Sequence, residues 1–391
     1  MSKHIPVARR VAGSQPSIMS ELVTRARVLR SEGRAVVDLG AGVPDYLPPK
    51  FLIDAGVAAL ENGPNSYGDS RGQASLRTAI ASRFAAQHSV VFDADSEVII
   101  TGGASAAITA ALLALVNPGD GVAMFEPYFE FFLPQIKLAG GKPKFIKLHE
   151  PDWTFKEWQL KRALGKTTRV LLLNTPHNPT GRVFTRAELE TIARYCIAND
   201  IVVISDETYE PFVFDGEHIS MAALPGMRDR TLTIGSVSKI FNVAGWRIGS
   251  VLASPQLTQA VRRVNGLFLG APVPLQEACA KALSERYHDF VAGLMQRHRP
   301  LRDDLCDALA AAGFVPFKPQ GTLSVWADAA ALGMASDLDV CDWLVNVHGI
   351  LAAPGSAFYQ APGRHYIRFS FARSEATMAE AISKLRALRA R

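Results

Sequence analysis

Lys239 stands in Gly235-Ser-Val-Ser-Lys-Ile-Phe241, with the hydroxyls of Ser236 and Ser238 just ahead of it and apolar side chains just behind. A lysine among apolar neighbours ordinarily lays its methylenes along the surface and keeps its charge in water. Here Arg247 follows eight positions later, in Gly245-Trp-Arg-Ile-Gly249. An amine beside two hydroxyls and a guanidinium is equipped to form a Schiff base next to a bound anion. Other polar residues gather directly after apolar runs: Gly103-Ala104-Ser105, Asn178, and Asp206 with Tyr209. Gly102-Gly103 opening a helix leaves backbone N–H groups at the positive end of the helix dipole, which suits a phosphate. A tight strand-to-helix turn explains the same glycines without any ligand. Asp206 reads in the same two ways, as a helix N-cap or as a charged group in a site. Asn178 in Asn178-Pro-Thr-Gly181 reads as a turn starter or as a ligand-facing amide.

The elements that must hold these residues follow from the apolar pattern. Val98–Thr101, Val122–Phe125, Arg169–Leu173, Ile201–Ser205 and Thr231–Ile234 are short continuous runs rich in Val, Ile and Leu. Runs without alternation mean burial on both faces, as in a mostly parallel sheet covered by helices. Helical stretches are predicted from Gly103 to about Val116 and from Arg186 to Asn199. In such an open sheet, ligands sit beyond the carboxyl ends of the strands, so the four polar segments should converge there. After about Leu275 the texture changes to a smaller α+β unit. A long helix is predicted from Gln276 towards Ala310, then a strand at Leu323–Ala327, a helix at Asp337–His348, a strand around Tyr366–Phe371 and a final helix from Ser374. A helix near Ile18–Arg30 is expected to complete this unit.

With 48% hydrophobic and 20% charged residues in 391, the chain has globular composition, and disorder is excluded. The net charge of +5 is carried largely at the ends, by Lys3, Arg9, Arg10, Lys384, Arg386, Arg389 and Arg391, beside His4. A nucleic-acid protein would carry a dense interior stripe instead, so no nucleic-acid partner is expected. Cys196, Cys279, Cys306 and Cys341 are scattered, without metal-ligand spacing, which fits reduced, buried thiols in a cytoplasmic protein and argues against a zinc site. No apolar run approaches the ~20 residues a bilayer requires, and Met1–Arg10 lacks the apolar stretch of a secretory signal.

Seven stretches, taken in order, carry a resemblance: Gly42-Val-Pro-Asp45; Tyr67 with Gly72 and Leu76-Arg77; Thr101-Gly-Gly-Ala-Ser105; Asn178-Pro-Thr-Gly181; Asp206-Glu-Thr-Tyr209; Ser236-Val-Ser-Lys239; and Arg368. From about Val11 to Leu388 the chain resembles the class I/II aminotransferases, pyridoxal-phosphate enzymes of fold type I. The resemblance implies an α/β large domain over residues 47–275, whose mostly parallel sheet is covered by helices. Residues 1–46 and 276–391 would form a smaller α+β domain that closes over the substrate. Lys239 would hold pyridoxal 5'-phosphate and move the substrate Cα proton, which requires an amine neutral near pH 7. Asp206 would face the pyridine nitrogen and keep the ring protonated. Tyr209 and Asn178 would hydrogen-bond the cofactor's phenolic oxygen, and Phe129 would stack on the ring. Gly103, Ala104, Ser105, Ser236, Ser238 and Arg247 would surround the phosphate. Arg368 would clamp the substrate α-carboxylate, with Gly42 and Asn178 beside it. Tyr67 would reach the phosphate of a neighbouring subunit, making the enzyme a homodimer.

The expected reaction is ping-pong transfer of an amino group between an L-amino acid and a 2-oxo acid, with a lean towards neutral or aromatic donors. Two rivals stand beside it. One is β-elimination or cyclisation on the same scaffold, with the same Lys, Asp and Arg. The other is a transcription regulator with an aminotransferase-like effector domain, for which the roughly 40 residues before Gly42 are too few to hold a further folded module.

Overall fold

The computed structural model describes residues 18–361 and 365–388, with Ala8 and Val11; Lys3, His4, Arg9, Arg10, Arg389 and Arg391 lie outside the described residues. In chain order the strands are β1 (Val37–Asp38), β2 (Val98–Thr101), β3 (Gly121–Glu126), β4 (Lys142–Lys147), β5 (Thr168–Asn174), β6 (Val202–Asp206), β7 (Thr231–Ser236), β8 (Gly249–Leu252), β9 (Val315–Phe317), β10 (Ser324–Asp328), β11 (Ile350–Leu351), β12 (Ala353–Pro354) and β13 (Tyr366–Ser370). Among the described residues, seven form one sheet in the order β2-β8-β7-β6-β5-β3-β4. Neighbours run parallel except for β8, which is antiparallel to both β2 and β7.

The continuous apolar runs are explained by two-sided burial. In β5, Val170 and Leu172 enter one core while Leu171 and Leu173 enter the other. β6 does the same, with Val202 and Ile204 on one face and Val203 opposite. The helix Ala104–Leu115 covers one face, and its fully buried Ala107, Ala110 and Ala111 let it pack closely. The helix Arg186–Ala198 lies on the other. Its first turn is a capping box, in which Thr185 Oγ1 accepts from Glu188 N–H and the Glu188 carboxylate accepts from Thr185 N–H.

A second, antiparallel sheet has the order β12-β13-β10-β9. The helix Tyr287–Ala311 packs on β9, on β10 and on the helix Glu375–Arg386. β1 pairs in parallel with β11, and the helix Ile18–Ser31 packs on Asp337–His348, β11 and β12. The N-terminal segment is thereby tied to the C-terminal third of the chain.

Two features depart from the sequence reading. The single long helix expected from Gln276 to Ala310 is two helices, Val273–Glu285 and Tyr287–Ala311, broken at Arg286. Their apolar spacing runs on across the break, so periodicity could not reveal it. The first packs on Lys50–Asn62 and Ala74–His88, the second on the small sheet. Strand β4 was also hidden: it is a lysine-rich edge strand with exposed Lys142 and Lys147, a composition that protects a sheet edge from pairing with another chain. Among the described residues no helix is long and apolar enough to cross a membrane, and the four cysteines are buried and unpaired.

Candidate active site

Thr101, Asn174, Asp206 and Ser236 are the last residues of β2, β5, β6 and β7, so the segments that follow them leave the same edge of the sheet. They converge on a cleft of about 290 Å³ lined by Ala104, Ser105, Asn178, Asp206, Tyr209, Ser236, Ser238, Lys239 and Arg247. Gly42, Phe129 and Arg368 also line it, the first from the N-terminal segment and the last from β13. Tyr67 is not part of this lining, and at 85% exposure it stands in solvent.

One end of the cleft is built for an anion. Gly103 caps the helix Ala104–Leu115 at φ +90° without a side chain to satisfy the first N–H groups. A Cβ at Gly103 would run into the Arg247 guanidinium, and its φ of +90° disfavours any other residue there, so glycine lets the guanidinium approach the helix terminus without strain. Arg247, itself at φ 55°, is steadied by the Ala244 and Gly102 carbonyls at 2.9 and 3.1 Å. Ser236 Oγ donates to Ser238 Oγ at 2.9 Å and accepts from Ser238 N–H at 3.1 Å, fixing both hydroxyls at the same end.

In the middle of the cleft, Lys239 Nζ donates to the Gly42 carbonyl at 2.6 Å. Burial, followed by the positive charges of Arg368, Arg247 and Arg373, brings its amine down to about 8; Asp206 pulls the other way. Asp206 Oδ1 accepts from Thr208 Oγ1 at 2.7 Å and Thr208 N–H at 3.2 Å, and Oδ2 carries neither bond. Burial raises the Asp206 carboxyl above its usual range, because those two bonds do not replace lost water. Tyr209 is pushed up to about 12, chiefly by burial, with Arg368 working against it and Asp206 with it.

At the other end, Arg368 Nη1 donates to Asn178 Oδ1 and Nη2 to the Gly40 carbonyl, both at 3.0 Å. Among the described residues its Nε is buried with no hydrogen-bond partner, and the guanidinium lies 4.8 Å from the centre of the Phe358 ring. A Cβ on Gly42 would stand 3.6 Å from Arg368 Nη2. Asn178 is held in place by its backbone N–H, which donates to Asn174 Oδ1 at 2.7 Å, while Asn174 Nδ2 donates to the Asp206 carbonyl at 3.0 Å. The ring of His177, next door, bonds Thr180 Oγ1 at 2.8 Å and the Pro127 backbone, and burial lowers it to about 3.

Sequence reasoning missed several groups here. Asn174 and Thr208 orient Asn178 and Asp206, and Val43 and Phe131 line the cleft. Asn174 was legible as a polar residue at a strand end; Thr208 had no signal beyond lying inside Asp206-Glu-Thr-Tyr209.

Comparison with known proteins gives the class. A profile of the family described as aminotransferase class I and II matches residues 34–385. Human kynurenine–oxoglutarate transaminase 1 is 34% identical over 388 residues, covering 90% of this chain and 92% of its own. The solved structure of N-succinyldiaminopimelate aminotransferase from Mycobacterium tuberculosis is similar with a TM-score of 0.94 at 34% identity, covering 98% of this chain and 100% of that one. A methionine aminotransferase from Escherichia coli gives 0.93 at 30% identity, with 98% and 100% covered. The chain belongs to the class I and II aminotransferases. It is a pyridoxal-phosphate-dependent enzyme that transfers an amino group between an amino acid and a 2-oxo acid.

The residues of the cleft fit that cofactor. An uncapped helix terminus with a guanidinium and two hydroxyls answers a phosphate, a buried carboxylate with too few partners answers a ring N–H⁺, and an amine lowered to about 8 answers a carbonyl.

Proposed function

We propose that Lys239 is the attachment point for the cofactor and the base that carries the substrate Cα proton, with Asp206 opposite the ring nitrogen. When bound, pyridoxal phosphate supplies a protonated ring that withdraws electrons from the substrate Cα. Ala104, Ser105, Ser236, Ser238 and Arg247, with the N–H groups after Gly103, hold the phosphate. Phe129 stacks on the ring, and Tyr209 and Asn178 bond its phenolic oxygen. Arg368 takes the α-carboxylate, with Asn178 and Gly42 beside it. Lys239 Nζ, neutral in part near pH 8, accepts the Cα proton. Closure of the smaller domain over the cleft excludes water at that moment. The observation that carries this reading is that the lowered amine, the under-partnered carboxylate and the buried guanidinium with a free Nε line one cleft.

We infer further a cytoplasmic homodimer in which Tyr67 reaches the partner's site. The exposure of Tyr67, Leu267 and Leu269 at 85%, 80% and 69% supports it, as does the bond from Arg262 to Ser70 that joins the two segments. Val43, Phe129 and Phe131 on the cleft wall favour donors with neutral or aromatic side chains, in keeping with the methionine and kynurenine named for two relatives.

Lys239→Ala tests the core of the proposal. It should purify folded, lack the visible absorbance of attached cofactor and lose turnover by about 10⁴-fold or more. Full activity in that variant removes Lys239 from the role. A screen of donors with 2-oxoglutarate, read by glutamate formation, tests the substrate class, and sedimentation of the holoenzyme tests the dimer.

A further inference from the structure

Arg373 lies three residues beyond β13, and its side chain is 2% exposed. It places all three kinds of guanidinium nitrogen on one short segment. Nε donates to the Asp38 carbonyl, Nη2 to the Ala41 carbonyl at 2.5 Å and Nη1 to the Val43 carbonyl at 2.7 Å. The remaining carbonyls of that segment are taken by other donors. Ser370 N–H bonds Leu39 O at 2.7 Å, Arg368 bonds Gly40 O, and Lys239 bonds Gly42 O. Every carbonyl from Asp38 to Val43 therefore ends on a donor from β13, from the residues just after it or from Lys239. Asp38 Oδ1 in turn accepts from the N–H groups of Gly40 and Ala41, both at 2.9 Å, which sets the turn inside the strap. Asp45 Oδ1 accepts from Ser374 N–H at 2.5 Å and closes its far end.

We propose that Arg373 is a positioning residue that keeps the strap Asp38–Val43 seated against β13, so that Gly42 and Arg368 together form the wall that receives the substrate carboxylate. This rests on the assignment of Lys239 and Arg368 above. Those two donors are drawn away from the strap when they engage cofactor and carboxylate, leaving Gly42 O and Gly40 O to weaker contacts. Arg373 makes no such exchange: its side-chain bonds among the described residues go to the strap, to the Ala372 carbonyl at 2.9 Å and to the Asp38 carboxylate at 3.7 Å. With the Ser370 N–H bond to Leu39 O, it is thus an anchor that persists through the catalytic cycle, and it holds three of the strap's carbonyls. A planar fork spreads three donors over three separate carbonyls, and the point charge of a lysine cannot span them.

The experiment compares holoenzyme wild type, Arg373→Lys and Arg373→Met, with Lys239→Ala as a control on the site itself. Arg373→Lys keeps the charge and should raise KM for the amino donor about tenfold with kcat within about threefold, a loss confined to substrate binding. The Kd of an unreactive carboxylate, 3-phenylpropionate, should rise by the same factor, while cofactor affinity and the unfolding temperature stay close to wild type. Arg373→Met should lose more in the same two quantities. A residue that served stability alone would lower unfolding temperature and cofactor affinity as KM rose, and that pattern overturns the proposal. So does an Arg373→Lys enzyme with unchanged KM and unchanged 3-phenylpropionate affinity. If Arg373→Met does not fold, Arg373→Lys decides alone. An active Lys239→Ala enzyme would instead refute the underlying site, a result separate from either outcome for Arg373.

Discussion

Asp206 and Glu207 are consecutive, nearly buried carboxylates at the end of β6, exposed by 7% and 3%, and they are held in opposite ways. Asp206 has Thr208 as its hydrogen-bond partner and is raised by burial. Glu207 Oε1 accepts from Ser205 Oγ at 2.8 Å, Ser220 Oγ at 3.0 Å and Met221 N–H at 3.2 Å, and Oε2 pairs with His218 Nε2 at 3.1 Å. Nearby, burial would raise Glu210, but the charge and hydrogen bond of Arg83 at 3.0 Å, together with the charges of His218 and His88, outweigh it and hold the carboxyl below its usual range. Arg83 also meets the Tyr287 hydroxyl at 3.1 Å. The cations divide by their counter-charges: Lys239 and Arg368 face the cleft, Lys239 with a lowered amine, whereas Arg83 and His218, each of which also keeps one nitrogen without a partner among the described residues, are paired to acids. The lesson is that a buried charge matched to an opposite charge holds segments of the chain together, while one facing a cleft without such a match is ready for a ligand.

The largest test of that contrast is Asp206→Asn, which should cut kcat by about 10²- to 10³-fold with the unfolding temperature unchanged or raised, since an under-partnered charge is removed. If the fold weakens and activity survives, the two carboxylates have been assigned the wrong way round. Arg368→Ala should raise KM for the amino donor by about 100-fold, with cofactor absorbance retained. An unchanged KM takes it out of the carboxylate wall. Glu207→Gln should do the reverse of Asp206→Asn, lowering unfolding free energy by roughly 1–3 kcal/mol in denaturant titration while kcat of the folded enzyme stays within about threefold.

The smallest effect is on pH. Burial would lower His218, but its bond to Glu207 and the charges of Glu207 and Glu210 outweigh it, so its folded value sits above the ordinary 6.5. A raised folded value means a contribution fully present below 6.5 and lost as pH rises through the folded value. Glu210, held below 4.5, contributes above that value and loses its contribution as pH falls through its own folded value. Thermal unfolding followed across pH should therefore decline on both sides, and His218→Asn should flatten the decline just above 6.5. A decline that survives the substitution places its origin elsewhere.

Much of the site was legible in the chain because its residues follow strand ends at short range. Ala104, Asn178, Asp206 and Ser236 each lie within a few positions of an apolar run, so a parallel sheet was enough to predict their meeting. Arg368 could be assigned only through family resemblance, because its partners Asn178 and Gly40 are 190 and 328 positions away. Arg373 was invisible for the same reason. The break at Arg286 escaped because two helices packed on different neighbours can share one apolar rhythm.

Local chemistry and periodicity thus determined the class of sheet, the loops that carry polar side chains and the amine at the centre of the site. What the tertiary structure decided was which buried charges are complete. The count of partners around Asp206 against Glu207, or around Arg368 against Arg373, depends on segments distant in the chain, and electrostatic energy follows distance in space rather than along the sequence.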